Sequence, residues 1–174
     1  MQAKSEDGAP RRERTIRWAD PSIDAAAIPT LSGIDFLRKI ASGELPPPPV
    51  AELLGMRVVT IEPSHAVFEF VPEEYMYNPL GSVHGGVVTT LLDTVMGCAV
   101  HTTLPAGVGY TTLELKVNFV RPVLLRSGPM RADGKVVHAG TNVATAEARL
   151  VDAQGTLFAH ATSTLMIFRG RPPP

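Results

Sequence analysis

The run Asn78-Pro79-Leu80-Gly81-Ser82-Val83-His84-Gly85-Gly86 leads into an apolar, helically spaced stretch from His84 to Val100, whose one carboxylate is Asp93. Consecutive glycines let another molecule approach the backbone closely. The first turn of a helix carries unpaired N–H groups and a partial positive charge, which suit a carbonyl oxygen that gains negative charge during acyl transfer. At about 100° per residue, Val87, Val88, Leu91, Leu92, Val95, Cys98 and Ala99 share one arc that faces a core. The opposite arc holds Gly86, Thr89, Thr90, Asp93 and Gly97. Asp93 is thus either a solvated surface group or a functional carboxylate, and Thr89 beside it is a candidate substrate contact. His84 and Asp93 lie about 13 Å apart along the helix axis and half a turn apart around it. If both act on one thioester, the amides come from one subunit and the carboxylate from another, so the site requires a dimer.

The elements around this helix set its position. Met56–Glu62 and His65–Val71 read as a hairpin turned at Pro63-Ser64. After the helix, Thr111–Val120 alternates, with Leu113, Leu115, Val117 and Phe119 predicted on one face and Thr112, Glu114, Lys116 and Asn118 on the other. Met130–His138, Asn142–Asp152 and Thr156–Phe168 complete an antiparallel run, and Ala144, Ala146 and Ala148 leave a shallow groove for a helix. The pattern predicts an α+β architecture in which an antiparallel sheet curls around one long helix. Upstream, residues 1–14 are charged and small and read as a mobile tail. Ser32 is positioned to cap a short helix carrying Ile34, Phe36, Leu37 and Ile40, with Gly43 as its stop, and Pro46–Pro49 read as a stiff connector. The expected organisation is an N-terminal tail and helical appendage over 1–49, one domain over 50–168, and a C-terminal tail over 169–174.

The chain has 174 residues, a net charge of −1, 44% hydrophobic and 19% charged residues. This describes a globular domain with no basic field to hold nucleic acid or an anionic membrane. The single cysteine, Cys98, has no intramolecular partner, and the opening residues are polar, which point to the cytoplasm. No window approaches the ~18 apolar residues of a membrane span. The histidines lack the spacing of metal ligands, so neither a metal nor a cofactor is expected. Arg121 and Arg126 are candidates for phosphate contacts or, equally, solvated surface charges. Met76, Tyr77 and Leu80 are candidates for lining an acyl pocket.

The string Asn78-x-x-Gly81-x-x-His84-Gly85-Gly86-x-x-x-x-Leu91-x-Asp93 resembles the hotdog-fold thioesterases related to the phenylacetate-degradation protein PaaI. The likeness extends through TLELKVNFVRP (112–122) and DAQGTLFAHATST (152–164), and spans roughly 50–168. It implies a hotdog fold and hydrolysis of an acyl-CoA thioester to a carboxylic acid and coenzyme A, which enters as part of the substrate. The assembly it implies is a homodimer or dimer of dimers. It also implies Asp93 as the catalytic carboxylate, acting as general base or nucleophile, and Gly85 as the backbone donor to the thioester carbonyl. Gly86 would stand beside that donor, His84 and Asn78 would arrange the carbonyl and water, and Thr112 would hold the water. Many relatives carry a basic residue after the turn glycine before the fifth strand, whereas Thr141 and Asn142 follow Gly140 here. The competing functions are a non-catalytic acyl-CoA binding protein and a hydratase or dehydratase on the same fold.

Overall fold

The computed structural model describes residues 11–169. Three short helices, α1 (Ser22–Ala27), α2 (Gly33–Ser42) and α3 (Pro49–Leu54), precede the hairpin β1 (Arg57–Glu62) and β2 (His65–Phe70). The long helix α4 (Gly85–His101) follows, then β3 (Val108–Phe119), β4 (Met130–Ala139), β5 (Val143–Asp152) and β6 (Leu157–Arg169). The six strands form one sheet in the order β1-β2-β4-β5-β6-β3, antiparallel at every pairing. The sheet packs around α4, giving the expected α+β hotdog architecture.

Small residues let the helix sit close. Ala144, Ala146 and Ala148 are buried on β5, and a Cβ added to Gly134 on β4 would lie 2.8 Å from the Val95 carbonyl oxygen. Leu91, Leu92, Val95 and Met96 fill the space between helix and sheet. The two-faced reading of α4 holds only through its first half. From Val95 to His101 every residue is buried, Gly97 included, because the Tyr110 ring lies against it where a Cβ would come within 2.7 Å of that ring.

Two further expectations differ from the structure. The proline run is not only a connector: Pro48 is an extended N-cap and Pro49 takes the first position of α3, where the missing N–H is no loss. Val50 therefore lies within a helix, and Phe36 and Leu37 of α2 belong to the same buried cluster as α4. On β3, a bulge between Thr112 and Glu114 breaks the alternation. Leu113 is 57% exposed, and Tyr110 and Thr112 face α4 before the bulge while Leu115 and Val117 pack against the core after it. Phe119, at the end of the strand, is 56% exposed.

Ser32 caps α2 through the Asp35 amide, and Gly43 ends it at φ 80°, as the sequence predicts. The expected tail falls partly outside the described residues, which begin at Arg11; the expected C-terminal tail lies beyond them except for Arg169. Within the first of these segments Arg12 pairs with Glu74, and Arg14 donates to the Leu53 carbonyl at 2.8 Å and lies over the Tyr75 ring. No helix among the described residues is long and apolar enough to cross a membrane.

Candidate active site

The entrance to α4 is built from a loop that bonds to itself. Asn78 Oδ1 accepts from the Leu80 and Ser82 amides at 2.9 and 3.3 Å, and its Nδ2 donates to Ser82 Oγ at 3.2 Å. His84 is the N-cap: its Nδ1 accepts from the Gly86 amide at 2.9 Å, so the ring proton sits on Nε2. The Val87 and Val88 amides go to the His84 carbonyl. Among the described residues this leaves the Gly85 amide as the unpaired donor of the first turn. Gly85 lines a cavity of about 290 Å³ with Asn78, Phe119, Arg121 and Phe158. Of the two glycines, the structure thus leaves one amide for a ligand.

Asp93, two turns further along α4, is half-buried. The Thr112 hydroxyl on β3 donates to its Oδ1 at 2.8 Å. Both residues line a second cavity, of about 620 Å³, which also takes in Thr94, Tyr110 and one face of α2. Burial, together with the charge of Asp93, pushes the Cys98 thiol up to about 12, so Cys98 stays protonated and is no nucleophile at neutral pH. Tyr110 is likewise held well above its ordinary value by burial and by the neighbouring Cys98 and Asp93. Its phenol therefore keeps its proton.

The two cavities share no lining residue. Gly85 and Asp93 sit on one helix eight positions apart, about 12 Å along its axis.

The family model described as the thioesterase superfamily matches residues 80–159, and a candidate esterase of Saccharolobus solfataricus is 32% identical over 69% of this chain and 84% of its own. The chain belongs to the thioesterase superfamily. It is also similar to a solved candidate thioesterase of Ralstonia eutropha, described as phenylacetic acid degradation-related, at 31% identity and a TM-score of 0.68, covering 74% of this chain and 97% of that one. The Escherichia coli PaaI protein shares the fold, with a TM-score of 0.69 over 81% of this chain and 98% of that one at 22% identity. Thioester hydrolysis is the general activity that this membership supports.

Within this superfamily member the other expected site residues are dispersed. Thr89 is half-buried on the face of α4 between Gly86 and Asp93. Arg121 donates to the Leu157 carbonyl at 2.6 Å and borders the Gly85 cavity, whereas exposed Arg126 lines neither cavity. Met76 is buried in the core, Tyr77 Oη accepts from the Leu125 amide, and Leu80 is exposed; none of the three lines a cavity described above. Tyr110 was not foreseen beside Asp93. Tyr110 lies two positions before Thr112 on the same face, a signal that the unforeseen bulge obscured. No group of three or more His, Cys, Asp or Glu among the described residues is placed to hold a metal ion.

Proposed function

We propose that this protein hydrolyses acyl-CoA thioesters at sites formed between two subunits. The observation that carries the reading is the placement of two complementary half-sites on one helix, an unpaired Gly85 amide and a hydrogen-bonded Asp93 carboxylate, too far apart to serve one thioester within a chain. Antiparallel packing of two α4 helices through their small-residue faces would bring the Gly85 amide of one subunit opposite Asp93 of the other. β3 supports such pairing, because it is an edge strand of twelve residues with Leu113 and Phe119 exposed.

At such a site the Gly85 amide donates to the thioester carbonyl and stabilises the charge that grows on its oxygen. Asp93 then acts in one of two ways. As general base it takes a proton from water while the water oxygen attacks the carbonyl carbon; as nucleophile its own oxygen attacks, giving an anhydride that water then cleaves. In both routes the carbon–sulfur bond breaks, coenzyme A leaves as the thiolate and takes up a proton, and the acyl group departs as a carboxylate. Thr112 holds one carboxylate oxygen and so turns the other toward the reacting centre. Arg121, beside the Gly85 cavity, is placed to meet coenzyme A phosphates, with Arg126 as a more distant candidate, Thr89 lies along the path between the half-sites, and His84 and Asn78 act by holding the entrance loop.

Free-thiol release from a panel of acyl-CoAs tests the proposal. Asp93→Asn keeps the shape of the side chain and removes its basicity, and is expected to lower kcat by about 10²–10⁴ with an unchanged fold. Tight binding of acyl-CoA without thiol release by wild type would instead indicate a binding protein, and water addition to an enoyl-CoA a hydratase.

A further inference from the structure

The cavity at Asp93 runs along the second half of α4. Asp93, Thr94, Cys98 and His101 all line it, and eight residues of helix place Asp93 and His101 about 12 Å apart. At the His101 end it meets α2, which contributes Phe36, Leu37, Ile40 and Ala41, one apolar face of that helix. The region matched by the family model begins at residue 80, so this wall comes from a part of the chain outside it.

The wall is held at its N-terminal end. The Gly33 amide donates to the Leu104 carbonyl at 2.9 Å, and Gly33 lies so close to α4 that an added Cβ would sit 1.9 Å from the His101 carbonyl oxygen. The Phe36 and His101 rings lie 5.5 Å apart between centroids. At the far end Gly43 takes a left-handed conformation, and the Leu45 amide returns to the Lys39 carbonyl. Phe36 and Leu37 are buried, while Ile40 is half-buried and Ala41 exposed, both bordering open cavity. An apolar surface held in place beside a space of about 620 Å³ leaves room for an apolar guest.

We propose that α2 is the end wall of the acyl chamber, and that Ile40 and Ala41 set the length of the apolar acyl group this protein accepts. The inference rests on the acyl-CoA reading above and adds a substrate class to it: acyl groups of medium length, which lie along α4 from Asp93 to α2. Shortening a wall residue lengthens the chamber, and enlarging one shortens it. A single methylene in an apolar pocket is worth about tenfold or more in discrimination.

The test is the ratio of kcat/KM for decanoyl-CoA to that for hexanoyl-CoA in wild type, Ile40→Ala and Ala41→Leu, with thermal midpoints measured alongside. The ratio is expected to rise about tenfold in Ile40→Ala and to fall by a similar factor in Ala41→Leu. Ala41 is exposed, so its replacement does not disturb the buried cluster and keeps the test open even where Ile40→Ala is unstable. A ratio that stays within about twofold of wild type in folded variants, while wild type hydrolyses both substrates, would overturn the assignment of α2 and leave the hydrolase reading standing. Silence of wild type on every acyl-CoA would remove both.

Discussion

Thr112 and Asp93 stand nineteen positions apart in the sequence and meet across the space between β3 and α4 through one hydrogen bond. A hydrogen bond to a charged group contributes about 1.5–3 kcal/mol, and here its effect falls on the orientation of the carboxylate. Thr112→Val keeps the volume and removes the donor. It is expected to lower kcat about tenfold or more with KM nearly unchanged, measured by steady-state thiol release; an unchanged kcat would mean that the bond serves the fold alone. At this scale the sequence was informative where chemistry follows from residue type and helix periodicity. Asp93 on a small-residue face and glycines at a helix start are visible that way. What could not be read was how the polar groups of the entrance divide their bonds, because that depends on rotamers. His84 occupies the Gly86 amide and Asn78 binds its own loop, which among the described residues leaves Gly85 as the open donor of the first turn.

Among the elements, the long helix and the strands after it were legible because their hydrophobic periods are sustained over many residues. The first hairpin was legible from its β-branched residues and the turn at Ser64, which adopts φ 64°. The bulge in β3 was not, since one inserted residue leaves no mark in composition while it reverses which side chains face the helix. Nor was α3, where a proline run conceals a helix start, nor the six-residue α1, with no buried residue to give it a period. The docking of α2 on α4 leads to a pH prediction. His101, the last residue of α4, is buried between the Phe36 and Tyr110 rings, and burial lowers its pKa to about 4. The unfolded chain protonates this histidine near 6.5, whereas the folded chain does so only near 4, so between these values the unfolded state binds more protons. Stability is therefore undiminished by His101 above pH 6.5 and falls as the pH drops toward 4. Between pH 7 and pH 5 the loss from this residue is about 2 kcal/mol. Urea unfolding of wild type and His101→Phe at both values should show the variant losing that much less; equal losses would show that His101 titrates normally in the fold.

For the whole molecule, the proposed site needs two copies of the chain, because the Gly85 amide and Asp93 lie about 12 Å apart along one helix. The free edge strand β3 and the small residues on the first half of α4 are the surfaces through which a second copy would complete it. The expectation of a shared site came from geometry, the spacing of His84 and Asp93, since no residue type declares a two-fold axis. The most direct test uses two inactive variants. Gly85→Pro removes the donor amide at the first helical position, where proline is tolerated, and Asp93→Asn removes the carboxylate. Each alone should be inactive. Unfolded together and refolded as an equal mixture, they should recover about a quarter of wild-type thiol release, because half of the dimers would be mixed and each of those would carry one intact site of two. Activity no greater than the sum of the separate variants would contradict a site shared between subunits.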